Sequence, residues 1–179
     1  EAVRWNADIV QCRYQYDFPG GKKYIPSGTF RERCVITKEK FKKIYIRMMT
    51  GINMNHVCMK LIRRPLLDGV VFDSLLATGE DLDFCMRLFK RASNYVFLPH
   101  ILYHYYRGGG GLTGKGLSKK QKWLANQNIV HRMLLNLKDW GIDTPKYRIL
   151  SRMRPYFIAI SKLLRIGRET LFLWKEGPK

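Results

Sequence analysis

Thr78-Gly79-Glu80-Asp81-Leu82-Asp83-Phe84 is the stretch that organises the chain. It sets two adjacent carboxylates at the head of a helical pattern. Leu82, Cys85, Met86 and Phe89 recur there at three- and four-residue spacing, and Phe84 and Leu88 broaden the stripe. A Tyr-rich run, Tyr103-His104-Tyr105-Tyr106-Arg107, and a glycine run, Gly108 to Gly111, follow. That order can bring a carboxylate base close to a phosphate-sized loop. Read locally, Thr78 caps the helix and Asp81, at the third helical position, completes a capping box. Read chemically, Asp81 is a general base whose direction the cap would fix. The two readings are compatible. Asp81-Leu82-Asp83 also spells D-x-D, but residues two apart on a helix point about 200° apart. The two carboxylates are therefore not expected to face one cation, and Asp83 is expected on the solvated side.

Upstream, Asn6-Ala7-Asp8 reads as a turn and residues 8–14 alternate like a half-buried strand. Phe18 to Lys23 is a second turn, and Cys34-Val35-Ile36 a short strand. Thr37 is expected to cap a helix reaching about residue 49, and Pro65 to open a short helical turn after Arg63-Arg64. Downstream, Tyr95 to Leu98 reads as one strand ended by Pro99, and Ile101 to Tyr106 as another. Residues 117–138 form a long helix starting near Ser118, with Leu124, Ile129, Met133, Leu134 and Leu137 on its apolar face. The tail from Lys146 to Lys175 is helical again, broken or kinked at Pro155. Strands first and helices after make the class α/β, with a C-terminal helical appendage.

The 179 residues are 46% hydrophobic, enough for one core. Thirty-three basic against 14 acidic residues give a net charge of +19, which favours an anionic partner: a phosphate-bearing substrate, nucleic acid or an anionic membrane face. Cys12, Cys34, Cys58 and Cys85 form no C-x-x-C pair and lie in apolar runs, as free buried thiols of a reducing compartment do. No apolar run reaches the length of about 18 residues that a membrane-spanning helix needs. The first residues, Glu-Ala-Val-Arg-Trp, suggest a chain cut from something longer.

Gly109-x-Gly111-x-x-Gly114 fits a dinucleotide fingerprint, and Gly109 to Lys115 fits most of a P-loop. Gly116 stands where the P-loop needs Ser or Thr for magnesium, and the dinucleotide pattern lacks its acidic residue after a further strand. Arg107, Thr113 and Lys115 still converge on one loop before a helix start, for which a diphosphate is the natural guest. A plain solvent loop is the alternative. His100 and His104 are four apart but lie in a strand region without an acidic partner, so no metal site is assigned to them.

Four stretches, in order, resemble bacterial family 2 glycosyltransferases of the GT-A fold. They are Asn6-Ala7-Asp8-Ile9-Val10, Val57-Cys58-Met59-Lys60-Leu61-Ile62-Arg63-Arg64, Gly79-Glu80-Asp81-Leu82-Asp83-Phe84, and Phe97-Leu98-Pro99 through Leu102 to Arg107 and on to Leu112-Thr113. The resemblance implies a partial GT-A-like mixed sheet with flanking helices. Residues 1–114 would be the C-terminal, acceptor-side half of the catalytic domain, and 115–179 a basic helical extension. It implies inverting transfer of a sugar from a nucleotide donor, typically a UDP-sugar, to an acceptor hydroxyl of a glycan or lipid-linked saccharide in cell-surface polysaccharide synthesis. Asp81 would then be the base and Glu80 its support. Arg107, Thr113 and Lys115 would bind the donor diphosphate, with His56 and Lys60 on the acceptor side. The family's divalent metal, Mn or Mg, is expected in the full-length enzyme, with its D-x-D ligands outside this chain. Met59 departs from the family's usual Asn before the Lys, and Gly111 from its Ser.

The tail from Pro145 to Lys179 places Ile149, Met153, Phe157, Ile160 and Leu164 at helical period among basic residues. It reads either as a helix packed on the domain or as an interfacial helix on anionic lipid. The expected location is cytoplasmic, with peripheral contact to the inner membrane face and homo-oligomerisation both left open. Two other functions stand beside the enzyme: a basic nucleic-acid-binding module, for which no recognised motif appears, and a non-catalytic partner subunit.

Overall fold

The computed structural model describes residues 1–26, 30, 32–50, 54–76, 78–108 and 118–175, with side chains through 160 except at 50. The elements in order are β1 (Ile9–Asp17), β2 (Lys23–Tyr24), β3 (Cys34–Thr37), α1 (Phe41–Thr50), β4 (Lys60–Ile62), α2 (Glu80–Arg91), β5 (Asn94–Tyr106), α3 (Lys119–Asp139) and α4 (Pro145–Lys175). Single 3-10 turns occupy Pro19–Gly21, Lys38–Lys40 and Arg64–Leu67. The strands make one mixed sheet in the order β2-β1-β5-β3, with β4 also on β1. β1 and β5 run parallel, and the other pairs are antiparallel. This is the α/β class, a mixed sheet with flanking helices, that the sequence predicts.

β5 corrects one expectation. Pro99 does not end a strand, because β5 runs unbroken for 13 residues. Its register with β1 passes from Gln11↔Phe97 to Tyr14↔Tyr103, so β5 takes six steps where β1 takes three. Pro99 falls inside that irregular stretch, where its missing N–H costs no ladder bond. The expected cap at Thr37 is also revised. Thr37 precedes the Lys38–Lys40 turn, makes no capping bond, and α1 begins only at Phe41.

Asp8 ties the sheet to the chain around it. Its Oδ2 accepts from the amides of Ser93 (2.6 Å) and Asn94 (3.3 Å), where α2 gives way to β5. Arg63 beside it donates to Asn6 Oδ1 (2.6 Å) and to the Ala7 carbonyl (3.2 Å). Two of the family-like stretches, around Asn6 and Lys60, thus meet at one knot.

The core gathers Ile9, Tyr95 and Phe97 from the sheet, Ile44, Tyr45 and Met48 from α1, Leu82, Cys85 and Phe89 from α2, and Ile129, Met133 and Leu137 from α3. Burial of each large side chain is worth about 1.5–3 kcal/mol. Side chains from both sides of residue 114 therefore share one cluster. α3 starts with a complete capping box, Ser118 with Gln121. Leu124, expected in its buried face, is 45% exposed, and Ala125 and Val130 are buried instead.

α4 continues through Pro155 without a break. It packs through Tyr147, Ser151 and Arg154, which are buried. Tyr45 takes Trp140 and Tyr147 edge-on and hydrogen-bonds Ser151. Desolvation lowers the Arg154 guanidinium pKa to about 10. Of the two orientations open to the stripe, Ile149, Met153 and Ile160 take the outward one, all three being exposed. Leu164 lies beyond the described side chains. All four cysteines are free; Cys85 is buried, Cys12 and Cys34 half-buried, and Cys58, expected inside, is exposed.

Candidate active site

α2 begins differently from its sequence reading. The N-cap is Gly79, in the left-handed region at φ 85°, not Thr78. A Cβ at Gly79 would stand 2.6 Å from Ile129 Cγ1 of α3, so both backbone and packing demand glycine here. Glu80 and Asp81 occupy the first two positions of the helix, both half-buried, where amide dipoles favour negative charge.

The Asp81 carboxylate is 38% exposed and faces His56, with Oδ2 3.8 Å from Nδ1. The His56 segment is held from beneath. Lys60 on β4 donates to the carbonyl of Met54 (3.1 Å) and to that of His56. Cys85, one turn along α2 from Asp81, donates to the Asn55 carbonyl at 3.5 Å. Three consecutive carbonyls are thus met by inward side-chain donors, which answers their need for partners away from water. Burial lowers the Lys60 pKa, and the nearby Cys85, Cys58 and Asp81 act against that shift. Lys60 therefore supports His56 from behind, while His56 Nε2 is buried without a hydrogen-bond partner among the described residues.

Tyrosines continue from His56 toward Arg107. Tyr14 lies edge-on to His56 (6.1 Å between centroids), and its hydroxyl is 3.2 Å from that of Tyr16. Tyr16 stacks on Tyr24 and takes Tyr105 edge-on at 5.5 Å. The Arg107 guanidinium sits 4.6 Å above the Tyr16 ring, and its backbone N–H donates to the Asp17 carbonyl at 2.7 Å. Asp17 in turn takes His104 Nδ1 at 2.8 Å and Gln15 at 2.6 Å. His104 does have an acidic partner, contrary to the sequence reading. Asp81, Glu80, His56, Lys60 and Arg107 therefore stand at the two ends of one aromatic tract. Thr113 and Lys115 lie outside the described residues. The tyrosines themselves were missed as site-builders; their signal was the spacing Tyr14-x-Tyr16 against Tyr103-x-Tyr105 on neighbouring strands.

Asp83 is the clearest correction. It is not solvated but buried, with Arg87 at 2.9 Å and Arg132 of α3 at 3.5 Å. Arg132 also binds Asp73. Asp81 and Asp83 thus serve different partners on different sides of α2. Among the described residues, no group of three His, Cys, Asp or Glu side chains is placed to hold a metal.

Solved structures of S. aureus TarS 1–349 resemble this fold. The complex with UDP-GlcNAc superposes with a TM-score of 0.52 and 18% identity, over 74% of this chain and 36% of that one. A second TarS 1–349 structure gives 0.51 and 16%, over 85% of this chain and 40% of that one. The likeness is one of fold. The chain spans well under half the length of these TarS structures. No family model and no curated protein matches it.

Proposed function

We propose that the chain is the acceptor-side part of a nucleotide-sugar glycosyltransferase, of the inverting family 2 type that its sequence resembles. In this reading residues 1–114 belong to the catalytic domain and 115–179 to its helical extension. The observation that carries it is the Asp81 carboxylate, accessible at the head of α2 beside His56 and joined by the tyrosine tract to Arg107. The fold likeness to TarS, solved with UDP-GlcNAc, supports a nucleotide-sugar donor.

The chemistry follows from those positions. An acceptor hydroxyl within about 2.6–3.2 Å of Asp81 gives its proton to the carboxylate. The freed oxygen lone pair forms the bond to the donor's anomeric carbon. The bond from that carbon to the diphosphate oxygen breaks and the nucleoside diphosphate leaves with the electron pair, inverting the centre. Glu80 adds negative charge beside the base, and His56 borders the acceptor. Lys60 acts indirectly, through the carbonyls that fix the His56 segment. Arg107, with Thr113 and Lys115, neutralises the departing diphosphate. The acceptor is a glycan or lipid-linked saccharide of cell-surface polysaccharide synthesis, met on the cytoplasmic side. The family's Mn or Mg ion would stabilise the same leaving group when bound. No group of side chains among the described residues is placed to hold that ion, and Asp83 is committed to arginines.

Of the strand tyrosines that the nucleic-acid alternative would use to stack bases, Tyr103 and Tyr105 pack against the Tyr14–Tyr16 cluster, which leaves Tyr106 as the exposed one. Asp81→Asn in the full-length enzyme decides the main reading. Turnover should fall by at least about 10²-fold with donor binding nearly unchanged. Turnover at the wild-type level would remove Asp81 from the base role.

A further inference from the structure

The outer face of α4 is a separate surface, remote in purpose from the Asp81 tract and independent of the reading given to it. Ile149 (59% exposed), Met153 (41%), Tyr156 (62%) and Ile160 (53%) stand in the open. At 100° per residue these four positions fall within an arc of about 60°. Tyr147, Ser151 and Arg154, which pack inward, lie on the opposite side. The stripe is therefore not core that happens to be shallow; it is a second apolar face that the fold leaves uncovered.

Its borders are cationic. Lys146 and Arg152 are exposed and flank the stripe, each roughly 50–70° from its centre. Between Pro145 and Ile160 the helix carries Lys146, Arg148, Arg152 and Arg154 and no acidic residue. Arg148 is engaged by Asp143, just before the helix, and Arg154 is buried. An apolar stripe rimmed by cations, with a tyrosine whose hydroxyl can stay at the polar edge, matches a helix lying in the plane of an anionic lipid surface. Among the described residues no helix is long and apolar enough to cross a membrane.

We propose that α4 rests on anionic lipid through Ile149, Met153, Tyr156 and Ile160, with Lys146 and Arg152 at the headgroups. A second copy of the chain is the less favoured occupant. Joining two such stripes would set Lys146 and Arg152 against their own kind, with no carboxylate on the segment to relieve the repulsion.

Net charge of +19 alone draws the chain to anionic vesicles, so the test must isolate the stripe. The 179-residue chain is co-sedimented with vesicles of phosphatidylcholine and with vesicles containing about 30% phosphatidylglycerol, at about 0.15 M salt where surface attraction is screened. The expected result is binding at least tenfold stronger to the anionic vesicles. Ile149→Ser with Met153→Ser, which leaves every charge in place, should weaken that binding at least tenfold. Leu102→Ser, an exposed apolar change on β5, should leave it unchanged, and circular dichroism should be the same for all three proteins. Equal binding by the wild-type chain and the serine variant would show adsorption by bulk charge and overturn the proposal. Equal binding to both vesicle types would overturn it too. So would concentration-dependent self-association that the serine pair abolishes while vesicle binding persists.

Discussion

His56 Nδ1 stands 3.8 Å from Asp81 Oδ2, too far for a hydrogen bond and near enough for charge to be felt. The two side chains come from different elements, a loop before β4 and the first turn of α2. They meet because Lys60 and Cys85 hold the intervening carbonyls of residues 54–56. The Asp81 carboxylate stays 38% exposed beside the imidazole. The pair is thus held by inward donors on the buried side of the His56 segment.

Lys60→Met tests that support. The methionine fills similar space but leaves the Met54 and His56 carbonyls without their donor, at about 1–3 kcal/mol for each acceptor left unpaired. The denaturation midpoint in urea should fall accordingly. An unchanged or higher midpoint would mean that the carbonyls find other partners at no cost.

Gly79 and Gly141 are both left-handed, at φ 85° and 64°, but only Gly79 faces a neighbour where a Cβ would go. Gly141→Ala should cost about 1–2 kcal/mol from backbone strain alone. Gly79→Ala should cost more, because Ile129 must also move. Thermal unfolding of the two variants side by side gives the comparison, and equal losses would dismiss the contact with Ile129.

Asp83→Ala removes the buried carboxylate between α2 and α3. It leaves Arg87 and Arg132 without it, a break typically worth about 3–5 kcal/mol. The lower end applies, because both arginine side chains are about a third exposed, and Arg132 keeps Asp73. Equilibrium unfolding should register the loss, and a variant as stable as wild type would make the pair ornamental to the fold.

Acid should destabilise the chain in a defined direction. Gln15 and His104 hold the Asp17 carboxyl below its usual pKa, the Leu75 amide and Arg132 do so for Asp73, and Arg148 for Asp143. The unfolded chain then takes up protons first as pH falls below about 4, so it binds more protons than the folded chain. Stability from these groups is complete above that range and is lost as pH drops through their folded values. Melting temperatures measured from pH 5 down to 2.5 should decline, and a rise over that interval would contradict the assignment.

The sequence carried the α2 stripe, the strand at Ile9 and the Ser118 helix start, because each rests on local periodicity or capping chemistry. It misled where the outcome depends on a distant partner. Thr78 has the right chemistry for a cap, but Ile129 leaves room only for glycine at the next position. Asp83 looks like a solvent residue until Arg132 arrives from α3. The period of Ile149 and Met153 leaves α4 open to either orientation, and Tyr45 decides it by capturing the opposite side through Tyr147 and Ser151. Nothing local to Pro99 indicates that β1 will accept an irregular partner across it.

That irregular passage in β5 also fixes a distance. With three more steps spent on β5 than on β1, everything after Pro99 is held three positions earlier along β1 than plain pairing from Phe97 would set it. Were the intact strands to pair evenly from Gln11↔Phe97 onward, Arg107 would be carried about 10 Å past Asp17, off the Tyr16 ring. The surplus acts as a fixed length allowance: three residues taken up inside the irregular stretch keep Arg107 beside Asp17.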